Sequence, residues 1–530
     1  MHRPEARGAA AFPNRLGFCG NPSQPSGRQC EHHQRPEGVG PGVGAAARVL
    51  PLRRGPGAEV LPEEGLERIH AATLRILEET GVEIRSGAVL ERLALAGARA
   101  DTEMGRVRFP GSLVEEALRR APRQLLLAAR DPACDLRVDG TAAWLSTGGN
   151  AGEIVDLDTG HRRPTTKADL AAVSRVADAV PQIGFLWQSV AALDVSAPAR
   201  SLHELHAQFA NSSKHVQLAD AVDARTAEGA VEIATILAGG ERELRERPVL
   251  SAFQHSASPL AYDGAGLEAA VKYAEAGVPC GFVAMPVVGA TTPATVAGAL
   301  VVSNAEVLAG IVALQLLTPG APTFWGVRGR VADPEDGEAT SGGLEDLIFH
   351  MASAELAHRY GLPAHVGIFA TGAKTPDYQA GQEKGLASFA SWFAGADMLC
   401  AAGVLHDERV FSAAGMLLDA EAFDLVRNVS LGFDVDEETM AVEVIERVGP
   451  AGHFLGEEHT LRHMREAWMS RFMDTETWEA WEEAGKPQPP DRAAEFAREL
   501  LATHEPMGLP PGAEERIWEV IAAHERDRSG

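Results

Sequence analysis

Amide, aromatic and charged side chains follow the short apolar segments in the middle of the chain. Gln188 lies in IGFLWQSV, Gln254 and His255 lie in VLSAFQHS, Trp325 lies in PTFWGV, and Arg328 directly follows that segment. Amides and a guanidinium bind polar groups, and aromatic faces attract cations. The segments carry no HExxH sequence, no nucleophile elbow and no paired carboxylates. These residues therefore lack the signatures of serine or zinc hydrolases.

A barrel of parallel strands would bring these positions together. Seven apolar segments alternate with helical patterns, and their starts recur every roughly 30–43 residues, the length of one βα unit. This spacing predicts a (β/α)8 TIM-type barrel whose eighth strand is unassigned. A doubly wound sheet is the alternative, but no GxGxxG or GxxxxGK[ST] follows any of the segments.

Active sites of such barrels lie at the carboxyl ends of the strands. Trp325 has a structural alternative, as filler of a barrel layer. Glu306 lies inside an apolar helix pattern, so it is paired within the protein, exposed at the barrel mouth or directed at a cation. The candidates selected in this way are Gln188, Asp220, Gln254, His255, Glu306, Trp325, Arg328, Phe369, Thr371 and His406.

The charge of the chain excludes several classes of partner. The 530 residues include 48 Lys and Arg against 74 Asp and Glu, a net charge of −26. Such a surface repels phosphate backbones and anionic lipids, which argues against nucleic-acid and membrane binding. The most apolar stretch, 297–317, contains Ser303, Asn304 and Glu306 and is expected to be a buried helix.

Cysteine usage points to a reducing compartment. The five cysteines are far apart and form no CxxC, which argues against disulfides and zinc knuckles. No set of His, Asp and Glu was recognised with ligand spacing, so no directly bound metal is expected. We expect a cytoplasmic protein.

Composition divides the chain into four regions. Residues 1–55 are rich in Pro and Gly and are expected to form a disordered tail, 56–145 a small α/β region, and 146–450 the barrel. Residues 451–530 read as a charged, Trp-rich helical extension that packs on the barrel or on a partner subunit. A homo-oligomer is therefore a possible assembly.

Several motifs resemble the trimethylamine methyltransferase family over roughly residues 56 to 510. Those that carry the resemblance are IHAATLRILEETGVEI, ARDPACDLRVDG, VDLDTGHRRPTTKADL, TTPATVAGALVVSNAEVLAGIVALQLLTPGAP, GAKTPDYQAGQEK and VGPAGHFLGEEHTLRH. The resemblance implies a (β/α)8 barrel and methyl transfer from a methylated amine to Co(I) of a corrinoid (cobalamin), which is free or carried by a partner protein. A non-catalytic methylamine-binding or regulatory protein with this fold is the alternative.

The sequence departs from the archaeal members of that family. They carry pyrrolysine just before the segment matching GAKTPDYQAG, where this chain has IFATG, so the counterpart lies among Phe369, Ala370 and Thr371. The chain is more similar to the branch without pyrrolysine, which includes glycine betaine methyltransferases. The expected substrate is a quaternary (betaine-like) or tertiary methylamine. A quaternary amine fits this branch because it leaves as a neutral amine without an acid catalyst and needs mainly positioning.

The positions of residues at the strand ends suggest individual roles in this chemistry. An aromatic cage for the ammonium would be formed by Trp187, Trp325, Phe369 and Tyr378, with Glu306 or Asp220 as the carboxylate. Arg328 or His406 would receive the carboxylate of a betaine. The residues expected to form the corrinoid-facing rim are Lys374, Asp377, Gln379 and Glu383. The alternative for this segment is a loop and helix start that local hydrogen bonds order.

Overall fold

Eight parallel strands form a closed barrel in this computed structural model, which describes residues 49–53, 59–219 and 221–529. Each strand pairs with the next along the chain, and the last pairs with the first. The strands are β1 (Ala142–Thr147), β2 (Ile183–Trp187), β3 (His215–Ala219), β4 (Leu250–His255), β5 (Cys280–Ala284), β6 (Trp325–Val327), β7 (Ala364–Val366) and β8 (Met398–Ala402).

A helix follows every strand and covers the outside of the barrel. These helices are α1 (Lys167–Ala179), α2 (Arg200–Ala210), α3 (Ala224–Ala238), α4 (Gly264–Glu275), α5 (Val296–Leu317), α6 (Leu344–Arg359), α7 (Tyr378–Ala394) and α8 (Ala413–Leu431). The predicted (β/α)8 architecture is confirmed.

Local sequence signals set the ends of these helices. Thr166 and Asp169 form a capping box at the start of α1, and the Thr295 side chain caps α5. Gly239 and Gly395 end α3 and α7 with φ values of 92° and 67°, a left-handed conformation that glycine adopts without steric cost. Helix α5 is the one described helix long and apolar enough to cross a membrane, and 78% of its apolar window is buried.

The first barrel strand is the one that sequence reasoning left unassigned. The proposed boundary between 145 and 146 falls inside β1, whose first residue is Ala142. Leu52–Arg53 pairs with β1 in antiparallel fashion, and Leu52 is fully buried. Residues 49–53 are therefore ordered within the expected tail, while 1–48 and 54–58 lie outside the described residues.

The N-terminal region packs against one side of the barrel and closes its floor. Its helices are Glu63–Arg75, with a π-helical turn Ile76–Thr80, Gly87–Leu95 and Gly111–Arg120, and its sheet contains Val82–Ile84, Arg99–Asp101, Arg106–Arg108 and Ala261–Tyr262. The hairpin of Leu125–Leu127 and Leu136–Val138 shares a buried cluster with Phe185, Phe253 and Phe324 of the lumen. The hairpin thus covers the amino end of the lumen.

Two small sheets formed by loops surround the open end. One contains Glu153–Val155, Arg162–Pro164, Val404–Leu405 and Val410–Phe411, and the other Val287–Val288, Arg330–Ala332 and Ala339–Thr340. They carry the residues that follow the carboxyl ends of the barrel strands.

The chain beyond α8 continues as helices. Pro489–Thr503 packs on α1 and α8, and Ala513–Ser529 packs on α3. Between them and α8 lie the short helices Glu437–Met440, Val442–Val448, Glu458–His463 and Trp478–Glu483. Other short helices are Pro132–Cys134, Ala197–Ala199 and Glu241–Glu246.

Candidate functional site

An aromatic ring and a guanidinium are stacked at the carboxyl ends of the barrel strands. Trp187 is the last residue of β2, is 1% exposed, and contacts the Phe253 ring edge-on with 5.0 Å between centroids. Arg328 directly follows β6, and its Cζ lies 4.4 Å from the centroid of the Trp187 ring. The guanidinium also forms an ion pair with Glu408. The site therefore holds a cation between an aromatic face and a carboxylate.

Two glycines provide the space for this stack. A Cβ at Gly148 would lie 2.6 Å from Cε3 of Trp187, and a Cβ at Gly367 would overlap Cγ of Arg328. Gly148 follows β1 and Gly367 follows β7, so both come from the carboxyl end of the barrel. Larger side chains there would displace the ring or the guanidinium.

Glu408 reaches the site through a strained turn. His406, Asp407 and Glu408 have φ values of 49°, 52° and 73°, three consecutive non-glycine residues in the left-handed region. Each such residue costs of order 1 kcal/mol or more, and strain of this kind concentrates at functional sites. The turn is fixed by hydrogen bonds from the His406 N–H to the Ala373 carbonyl at 2.7 Å and from the Asp407 N–H to the Thr371 carbonyl at 2.9 Å. Glu408 was missed from the sequence, although it follows the last barrel strand.

Below the stack, the lumen contains a buried polar network. His365 Nε2 lies 3.1 Å from Gln217 Oε1, and the Gln217 amide and His215 both contact the Ser251 hydroxyl, at 3.2 and 2.8 Å. Burial lowers the pKa of His215 to about 4 and that of His365 to about 3. Both imidazoles are therefore neutral at pH 7, and they add no positive charge beneath the guanidinium.

Two buried polar atoms beside the stack have no hydrogen-bond partner among the described residues. They are Trp187 Nε1 and His365 Nδ1, and the two rings lie 6.3 Å apart. An unpaired buried polar group is costly, so these atoms mark places where a bound molecule or water completes the site. His255 also belongs to this wall, with its ring 5.2 Å from that of Phe253.

Three of the predicted substrate residues face the helices instead of the lumen. Gln188 donates to Glu204 of α2 and accepts from the Ala219 N–H. Gln254 lies against α4, and the Trp325 indole N–H donates to Asn304 of α5 at 3.1 Å. Successive residues of a strand point to opposite sides, so the neighbours Trp187, Phe253 and Phe324 face inward. Phe369 belongs to the same outer core as Trp325.

Glu306 has a complete set of partners within the protein. Its carboxylate accepts from the hydroxyls of Ser256 at 2.6 Å and Ser258 at 2.7 Å and from the Leu260 N–H at 2.9 Å. Burial raises its pKa, and these hydrogen bonds oppose the rise. Glu306 therefore fixes the loop after β4. Asp220, the other proposed carboxylate, lies outside the described residues.

The predicted rim residues lie at the start of α7, outside the lumen. Asp377 caps this helix through the N–H groups of Gln379 and Ala380, and Thr371 and Gln379 both donate to Glu383. Lys374 is exposed and donates to the Gly372 carbonyl.

A groove of about 540 Å³ lies beside this rim, between the starts of α6 and α7. It is lined by Leu344, Leu347, Tyr378, Glu383 and Leu386. Tyr378 is 84% exposed and does not join the aromatic residues of the lumen.

Comparisons with known proteins agree with this architecture. The family model for trimethylamine methyltransferase (MTTB) matches residues 28–529. The chain is 36% identical to trimethylamine methyltransferase MttB of Desulfitobacterium hafniense (strain DSM 10664 / DCB-2), covering 84% of this chain and 90% of that one. It is 33% identical to glycine betaine methyltransferase of D. hafniense (strain Y51), covering 88% and 97%.

A solved structure supports the fold. The hydroxylamine complex of MtmB has a TM-score of 0.50 at 12% identity and covers 83% of this chain and 88% of that one. The family model and the sequence relatives establish that the chain belongs to the trimethylamine methyltransferase family and is a methyltransferase.

Proposed function

We propose that this methyltransferase demethylates a quaternary, betaine-like amine and passes the methyl group to the Co(I) corrinoid of a partner protein. The observation that carries the proposal is the ion pair of Arg328 and Glu408 stacked on Trp187. Both charged side chains are largely buried. A ligand that separates them must therefore offer a negative group to Arg328 and a positive group to Glu408.

A zwitterionic betaine meets that requirement. Its carboxylate would replace Glu408 as the acceptor for the Arg328 guanidinium, which is a bidentate donor. Its ammonium would replace the guanidinium beside Glu408 and against the face of the Trp187 ring. Trimethylamine or its ammonium ion has no carboxylate, so it would leave Arg328 without a counter-charge. The site therefore favours a betaine over a simple methylamine.

The chemistry needs no acid from the protein when the nitrogen is quaternary. The C–N bond breaks with its electron pair on nitrogen, which leaves a neutral amine, and the Co(I) corrinoid supplies the nucleophile for the methyl carbon. The neutral His215 and His365 fit this, because no proton has to be delivered to the leaving group. The role left to the protein is to hold the cation in line, which is catalysis by positioning.

The exposed rim provides a surface for the corrinoid carrier. Lys374, Asp377 and Gln379 are exposed at the start of α7, next to the strained turn that carries Glu408. They offer donors and acceptors to a docked protein without closing the lumen. We place the reaction in the cytoplasm, which suits an acidic chain with few, scattered cysteines.

The test is methyl transfer to reduced cob(I)alamin, followed by absorbance, with and without a cognate corrinoid protein. Glycine betaine, proline betaine, carnitine, choline and trimethylamine are compared as donors. Choline is the matched control, because it has the quaternary ammonium without the carboxylate. Turnover with a betaine and far less with choline is expected. Preference for trimethylamine would overturn the substrate class, and binding of a betaine without transfer to either acceptor would favour a binding protein.

A further inference from the structure

The segment 432–488, here called the C-terminal arm, has almost no core of its own. Phe472 is the one buried residue of the arm, all of which the structure describes. Large apolar side chains are exposed instead, among them Phe433 at 83%, Leu455 at 85% and Trp478 at 65%. Short segments that bury so little are usually held by a metal ion, disulfides or another chain, and the arm contains no cysteine.

One cluster in the arm has the composition of a metal site. His459 and His463 are one turn apart on the helix Glu458–His463, with 4.3 Å between ring centroids. Glu438 approaches from the helix Glu437–Met440, and its Oε1 lies 3.2 Å from His463 Nε2. One ligand atom from each residue lies within 4.8 Å of the others. One zinc ion with bonds of about 2.0–2.2 Å would hold its ligand atoms closer together than this, at roughly 3.4 Å from one another in a tetrahedral site, so the three side chains would close around it on binding.

The surroundings of His463 are those of a metal-bound imidazole. Its Nδ1 lies 2.8 Å from Glu466 Oε2. A histidine that donates from one ring nitrogen to a carboxylate presents the lone pair of the other nitrogen to a metal. Here that second nitrogen is Nε2, which faces Glu438. His459 Nε2 lies 2.9 Å from the Glu438 carbonyl oxygen, so the same short helix also holds this ring.

We propose that Glu438, His459 and His463 bind one zinc ion, with water as the fourth ligand, and that this ion joins the arm helices Glu437–Met440 and Glu458–His463. Two histidines and a carboxylate suit Zn²⁺ by ligand type and number. The proposal concerns the arm alone and does not depend on the proposed methyl transfer. It differs from the sequence-based expectation of no metal, because Glu438 is 21 residues away from His459 and only the fold brings them together.

Arg462 is a competing cation in the cluster. Its guanidinium donates to Glu438 Oε1 at 2.6 Å, the same oxygen that faces His463. Zinc would have to take this oxygen from Arg462 or share the carboxylate with it. Arg462→Gln removes that competition, so this variant is expected to bind zinc more tightly than the wild type.

The first experiment is metal analysis of untagged full-length protein, with zinc affinity measured by competition with a chromophoric chelator. We expect one zinc ion per chain, lost in His459→Ala and His463→Ala. Glu466→Gln, which alters only the carboxylate behind His463, is expected to weaken binding by about 10–100-fold. His453→Ala is the matched control, since this exposed histidine lies in the same arm outside the cluster, and it should retain the metal.

Limited proteolysis supplies a readout of the arm itself. Removal of zinc should expose the arm to cleavage while the barrel remains intact, and added zinc should restore protection. Absence of bound zinc, or equal loss of zinc in the His453→Ala control, would overturn the proposal. Light scattering with and without chelator measures the oligomeric state. If resistance of the arm to proteolysis depended on the oligomeric state and not on zinc, a second copy of the chain would hold the arm, and the zinc proposal would be wrong.

Discussion

Trp187 and Arg328 meet across the barrel, with 4.4 Å between the guanidinium carbon and the centroid of the indole ring. They come from β2 and β6, which are four strands apart in a closed sheet of eight and therefore face each other. A ligand that enters along the barrel axis has to contact both side chains. The pair consequently defines what the lumen can bind.

Replacement of the Trp187 ring should weaken the binding of quaternary amines. A cation–π contact contributes about 0.5–2 kcal/mol, so Trp187→Leu should raise the Kd for glycine betaine by about 2–30-fold, and Trp187→Phe by less. Calorimetric titration measures both variants. Trp325→Phe is the control, because that indole lies against α5. Equal losses in the Trp187 and Trp325 variants would show an effect of packing and not of a cation site.

Arg328→Gln should change the preference between donors more than the overall rate. The variant loses the group that pairs with a substrate carboxylate, and Glu408 keeps only the Arg330 guanidinium, whose Nη2 lies 3.9 Å away. A betaine should therefore lose its advantage over choline, whose ammonium still finds Trp187 and Glu408. The measurement is kcat/KM for both donors. If the variant retains the wild-type ratio of kcat/KM for betaine to kcat/KM for choline, Arg328 does not bind the substrate carboxylate.

The sequence predicted the barrel well because each strand is short, apolar and followed by a helix that ends in a recognisable signal. Seven segments matched strands, and the eighth, β1, was missed because it directly follows the N-terminal region. The site was harder to predict. The ends of the strands were identified correctly. The sequence did not show, however, that Trp187 and His255 face the lumen while Gln188 and Gln254 face the helices, because side chains alternate between the two sides and packing decides which set faces inward. The place of Glu408 in the site could not be predicted, because it results from an unusual turn that no local sequence pattern indicated.

Glu306→Ala should destabilise the protein without a specific effect on substrate affinity. The substitution leaves three donors, two hydroxyls and the Leu260 N–H, without their acceptor in a buried place. We expect the free energy of unfolding to fall by about 3 kcal/mol, and Glu306→Gln to cost less because one acceptor oxygen remains. Chemical denaturation measures the change. A stable Glu306→Gln variant that no longer binds a betaine would instead assign this carboxylate to the substrate.

Glu204 should make the stability of the wild type depend on pH. It is 3% exposed on α2, and burial raises its pKa to about 7 despite hydrogen bonds from the Ala192 N–H and the Gln188 amide. The folded protein therefore keeps this proton up to about pH 7, whereas the unfolded chain releases it near 4.5. Because the native state binds more protons between these values, stability falls as the pH rises through this window and is level above it.

The Glu204→Gln variant isolates this contribution, because an amide does not titrate. Its unfolding free energy relative to the wild type should rise by about 3 kcal/mol between pH 4.5 and 7, whatever constant offset the altered contact with Gln188 introduces. Denaturation at several pH values measures the difference, with the exposed Glu495→Gln as a control that should show no such trend. A difference that stays constant with pH would mean that Glu204 is charged in the folded protein and that its burial is compensated by the Gln188 amide and the Ala192 N–H.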